Sequence, residues 1–181
     1  MPTDKEKKPF TEAEKTEHVK KIQEEIEKQR KKVKKGDNFV APTEEQLREK
    51  LGRVNSPMLT WQGWGTSTPP GGTFTYSVGA YNPDPTWRGN LICYFFVGPG
   101  NAIADLSSFM LNADQRFPRL GQTPPYGFSL NPSEMKTISF PVKVPADALP
   151  GVYLGNSVLF MFNFNDVGTY YDRATFPFQV A

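Results

Sequence analysis

Thr73-Phe74-Thr75-Tyr76-Ser77-Val78-Gly79-Ala80 decides the fold. Phe74, Tyr76, Val78 and Ala80 alternate with Thr73, Thr75, Ser77 and Gly79. Period two is the signature of a strand with one face in a core and the other in water. Asn82-Pro83-Asp84-Pro85 ends it, since proline offers no backbone donor to a ladder and Asn and Asp favour turns. Toward the C-terminus the pattern returns. Ile138, Phe140, Val142 and Val144 alternate around an outward Pro141, and Ala174, Phe176, Phe178 and Val180 around an outward Pro177, which predicts sheet-edge positions or bulges for both strands. Residues 91–97 and 158–162 are apolar on both faces, as central strands covered on both sides are. With 58–62 and 152–154 this makes six or seven strands, the pattern of an antiparallel β-sandwich. Residues 101–128 interrupt it with an apolar, partly helical piece at 102–111 and a loop carrying Pro118, Pro124 and Pro125. So long an insertion is expected to be packed or functional, and its piece at 102–111 or a neighbouring subunit is expected to cover Ile92, Tyr94 and Phe96.

Upstream of residue 54 the chemistry changes. Of 40 charged side chains, 27 lie in residues 1–53, while 22 of 24 aromatics lie in 54–181. Residues 1–53 therefore read as a charged helical arm and strap, and 54–181 as the β domain. Thr11-Glu12-Ala13-Glu14 matches a capping box, whose Thr hydroxyl and Glu carboxylate satisfy amides that a first helical turn leaves without partners. The helix is predicted to run to Lys35, with Gly36 as its left-handed end. Val19, Ile22, Ile26 and Val33 fall at spacings of three, four and seven, with Gln29 in the missing place, a narrow heptad stripe. This stripe is the candidate docking seam for a protein assembly or a second copy of the chain; a solvated helix with incidental aliphatics is the alternative. Thr43-Glu44-Glu45-Gln46 is a second capping box, and Leu47, Leu51 and Val54 continue one face of a short helix that straps arm to β domain.

Composition excludes several function classes. One histidine, His18, and one cysteine, Cys93, leave no Ser-His-Asp or Cys-His set near a pocket, no His/Cys zinc site and no internal disulfide. Cys93 reads as an inert core thiol. The β domain's carboxylates are Asp84, Asp105, Asp114, Glu134, Asp147, Asp166 and Asp172, and those in turn contexts commonly bond their own backbone. No enzyme, cofactor or metal is expected. Asn163-Phe164-Asn165-Asp166 lacks the regular oxygen spacing of a calcium loop. The formal charge of +2 divides into +3 on the arm and −1 on the β domain, small for a nucleic-acid domain. Only Lys28-Gln29-Arg30-Lys31-Lys32-Val33-Lys34-Lys35 could meet nucleic acid or an anionic membrane, and the glutamates before it favour a solvated face. No apolar leader follows Met1 and no stretch reaches membrane-spanning length, so cytoplasmic synthesis is expected, with a virion or signal-less export as the destinations open to it. Trp61, Trp64 and Trp87 flank turns and either form a platform for a sugar ring or close the ends of the core.

Residues 130–153, Leu-Asn-Pro-Ser-Glu-Met-Lys-Thr-Ile-Ser-Phe-Pro-Val-Lys-Val-Pro-Ala-Asp-Ala-Leu-Pro-Gly-Val-Tyr, resemble the strand, turn and strand of bacterial immunoglobulin-like domains of the CARDB and NPCBM-associated type. Residues 72–82 resemble the earlier strand of those domains, which ends in an Asn. The resemblance implies a mainly β, immunoglobulin-like sandwich behind an N-terminal helical arm, and a module that is adhesive, spacing or accessory. The expected function is non-enzymatic display: the arm docks into an assembly, such as a virion or capsid that the chain decorates, and presents the sandwich. A carbohydrate-binding or adhesion module using the surface tryptophans is the second reading.

Overall fold

The computed structural model describes residues 8–53, 56–98, 126–163 and 166–181. Residues 102–111, Val54 and the side chains of Tyr94, Phe96, Asn163 and Asp166, on which some of the expectations above rest, lie outside what is described. The chain runs α1 (Glu12–Arg30), β1 (Asn38–Val40), α2 (Glu44–Leu51), β2 (Met58–Trp64), β3 (Thr73–Tyr81), β4 (Arg88–Gly98), β5 (Tyr126–Leu130), β6 (Met135–Lys143), β7 (Gly151–Asn163) and β8 (Asp166–Val180). Two four-stranded sheets form, one in the order β1-β2-β3-β6 and the other β5-β4-β7-β8, and every strand pair is antiparallel.

The alternation read from the sequence becomes the interior between the sheets. Phe74, Tyr76, Val78 and Ala80 face Ile138, Phe140 and Val142 along one sheet, and meet Leu91, Cys93, Phe95, Val97, Leu159, Phe176 and Phe178 of the other. At the centre Tyr76 stacks on Phe176 with centroids 4.3 Å apart. Its hydroxyl lies 3.0 Å from Gln62 Oε1 and 2.8 Å from Ser157 Oγ, so the one polar group of that stack is satisfied where an unpaired hydroxyl would be costly. Gln62 also donates to the Thr175 carbonyl across the sheets.

β4 and β7 are the central strands of the second sheet, and the proline-bearing β6 and β8 are edges. After β2 the chain crosses over: Thr68 makes a parallel bridge to Val180 along β8, its amide donating to the Gln179 carbonyl. Two further strands, β1 and β5, form beyond those expected. α1 also ends at Arg30, five residues before the expected Lys35. Lys31, Lys32, Lys34 and Lys35 would repel one another at helical spacing, and the chain turns through Gly36 at φ +94° to bring residues 38–40 against β2.

Candidate functional site

The region where arm and sandwich meet is built on the outer face of the first sheet. β2 carries a bulge: Leu59 pairs with Ala80 and Gln62 with Val78, leaving Thr60 and Trp61 together opposite Gly79. The extra residue resets the alternation. Leu59 and Trp64 point into the main core while Met58 and Trp61 point out. Trp61 lies across Gly79, where a Cβ would fall 2.3 Å from its Nε1, so only glycine admits the indole. The outward apolar patch is Met58, Trp61 and Tyr81, with Met135 at its border.

The arm covers this patch. Val19, Ile22 and Ile26 of α1 and Leu47 and Leu51 of α2 pack with Met58, Trp61 and Tyr81 in a second core, each 5% exposed or less. Both capping boxes form as the sequence indicates. Of the four aliphatics of the expected docking seam, Val19, Ile22 and Ile26 are thus buried within the chain, and Val33, past the end of α1, is half-buried. The physical reason is that β2 and β3 present an apolar outer patch of their own, whose burial removes more hydrocarbon from water than a bare helix could. Arg48 joins the arm's ends by bonding Glu12 at 3.3 Å and Thr16 at 2.8 Å.

The tryptophan platform does not assemble either. Trp61 stacks on Phe39 beneath the arm, with centroids 5.5 Å apart. Trp64 packs on Phe176 in the main core at 4.8 Å. Trp87 alone is exposed, at 61%. Alternate faces of one bulged strand send the first two indoles in opposite directions.

Several ionisable groups are engaged within the fold. Asp172, 3% exposed, accepts from Lys50 Nζ at 2.6 Å, the Leu59 amide at 2.7 Å and Arg53 Nη1 at 3.2 Å, tying α2 and β2 to β8. Asp84 accepts from the Thr86 amide and hydroxyl and from Arg88. Burial alone would raise its pKa, but these donors outweigh it and hold the carboxyl below its usual range. His18 Nδ1 lies 2.7 Å from the Tyr81 hydroxyl, with the Phe10 ring 4.9 Å away. Burial, helped by Lys21, holds the imidazole below its ordinary pKa. Burial raises the Tyr81 phenol. Cys93 is fully buried in the main core.

The two packed sheets, the crossover to β8 and the Asn82 turn establish the architecture. The sandwich is immunoglobulin-like. The C-terminal domain of Wzt is similar in structure, with a TM-score of 0.50 at 10% identity over 82% of this chain and 80% of that one. A CARDB domain from Pyrococcus furiosus superposes at a TM-score of 0.43 and 13% identity, over 70% and 93%. Part of a family 123 glycoside hydrolase from Clostridium perfringens gives 0.41 and 11% identity over 81% of this chain and 27% of the enzyme. No protein-family model matches the chain, and no curated protein matches it in sequence. Among the described residues no helix is long and apolar enough to cross a membrane.

Beside the second core the immunoglobulin-like domain keeps a groove of about 500 Å³ between the turn after α1 and the uncovered half of the same sheet face. Lys32, Lys34 and Asp37 form one wall, Phe39 an apolar side, and Thr75, Ser77 and Thr137 the floor. Sequence reasoning missed it because its parts lie far apart in the chain. The alternate outward hydroxyls of β3 and β6 were the available signal.

Proposed function

We propose that this chain acts by binding, as a non-enzymatic structural module that presents an immunoglobulin-like sandwich within a larger assembly, of which the decoration layer of a virion or capsid is one kind. The observation that supports this reading is how the ionisable groups are engaged. Asp84 and Asp172 are bonded to cations and amides that hold a turn and the strap, and His18 is set against Tyr81 under the arm. None of them faces another across a cleft as an acid and base pair would. With the apolar stripe turned inward, attachment falls to the opposite, charged face of α1, where Lys20, Lys21 and Glu24 are exposed.

The test is the mass of the native particle that carries the chain. Co-sedimentation with a large assembly, released by Lys20→Glu with Lys21→Glu, is the expected result. Recovery from native extract as a free 20.4 kDa monomer would overturn the reading.

A further inference from the structure

We propose that the groove beside the second core binds an acidic saccharide. Its floor is the polar half of a sheet face whose apolar half is covered by the arm. Thr75 and Ser77 on β3 and Thr137 on β6 point outward on this floor, and just outside it the Ser139 hydroxyl sits 2.8 Å from that of Ser77. Such a floor offers both donors and acceptors at fixed positions, as the hydroxyls of a sugar ring require. One wall adds the Asp37 carboxylate, an acceptor for hydroxyls.

The same wall supplies positive charge. Lys28 and Arg30 are paired with Glu25 and Glu27, whereas Lys32 and Lys34 hold no carboxylate among the described residues. Both are exposed on the groove, so a carboxylate or sulfate on the ligand finds charge-assisted donors. Phe39 is fixed by its stack on Trp61 and by the Arg30 guanidinium 4.8 Å from its ring centroid. It gives a rigid apolar border, and with its faces taken it offers no open ring on which a nucleobase could stack. β3 is paired on both sides and the other floor strand, β6, is an edge that carries Pro141, so a peptide strand could add only along a margin that makes a poor template. Hydroxyl recognition with an anionic group is the chemistry that remains, and a volume of this order holds one or two sugar rings.

The test is titration calorimetry of the full chain against uronic-acid-containing, sialylated and sulfated oligosaccharides and their neutral counterparts, with an acidic peptide and sodium sulfate alongside. An acidic oligosaccharide should bind about tenfold or more tightly than its neutral counterpart. Lys32→Gln with Lys34→Gln should remove that preference, and Thr137→Val, an exposed and nearly isosteric change, should weaken binding several-fold. Trp87→Ala should leave it unchanged. No binding to any saccharide, binding indifferent to both groove variants, or equal binding of the acidic peptide and sulfate would overturn the proposal. Carboxylated against sulfated ligands identify the anion. The particle-mass experiment is independent of all these outcomes, so the groove and the assembly reading fail separately.

Discussion

His18 shows how one residue couples the arm to solution conditions. Its imidazole meets Tyr81 of β3 and Phe10, with Glu14, Glu17 and Lys21 as its charged neighbours on the helix side. Because its pKa in the folded chain is depressed below the ordinary 6.5, the unfolded chain takes up the proton first as pH falls. Stability from this group is therefore complete above about pH 6.5 and declines as pH falls toward the lower folded value. The urea midpoint should drop between pH 7.5 and 5, and His18→Gln should flatten that slope. Asp84, also depressed, acts in a separate window: its contribution is present above the ordinary carboxylate pKa of 3.8 and is lost in stronger acid. Asp172 makes a different demand on the fold. Asp172→Asn would leave Lys50, only 18% exposed at its side chain, facing a neutral amide, and breaking such a buried pair costs about 3–5 kcal/mol. Chemical denaturation against the parent measures it. A loss below about 1 kcal/mol, the range of exposed ion pairs, would show that the pair contributes little.

Among the elements, β2 and α1 are each legible in the sequence only in part, for different reasons. The strands from Phe74, Ile138 and Phe176 were legible because strict alternation both marks a strand and says which face is inside. At β2 the run Met58-Leu59-Thr60-Trp61 does not alternate, since the bulge places two successive residues on one face. The tryptophans could thus be counted but not assigned a side. β1 was hidden for another reason: Asn38–Val40 is three residues long and gains its strand conformation from β2. For α1 the stripe was legible and its partner was not, because periodicity reports that a face is apolar and is silent on what covers it. The cover can be probed from both sides. Ile22→Ala, at a fully buried position, should cost about 2–5 kcal/mol. Gly79→Ala, which leaves α1 untouched in sequence, should lift Trp61 and loosen the same contact, read as a red shift of tryptophan emission and faster amide exchange in α1. Unchanged exchange in both variants would mean the helix is held by something other than this core.

The whole molecule has two cores on either side of one sheet, and they are unequal. The inner one joins both sheets and involves residues from β2 to β8, whereas the outer one needs residues 8–53 to exist. A fragment of residues 56–181 should accordingly keep near-ultraviolet aromatic signals from the inner stack while baring Met58, Trp61 and Tyr81. It should melt earlier than the full chain and bind a hydrophobic dye that the full chain does not. A fragment that matches the full chain in melting temperature and stays dark with the dye would make the arm an appendage. The groove and the charged face of α1 both belong to the assembled body, so neither survives that truncation.

Pro141 on β6 and Pro177 on β8 sit on one of the two outermost strands of each sheet, and Thr68 already lies along β8. A strand that lacks an amide at its margin makes a poor template for another chain. Strand addition is thereby disfavoured at these two margins, and contacts made there fall to side chains.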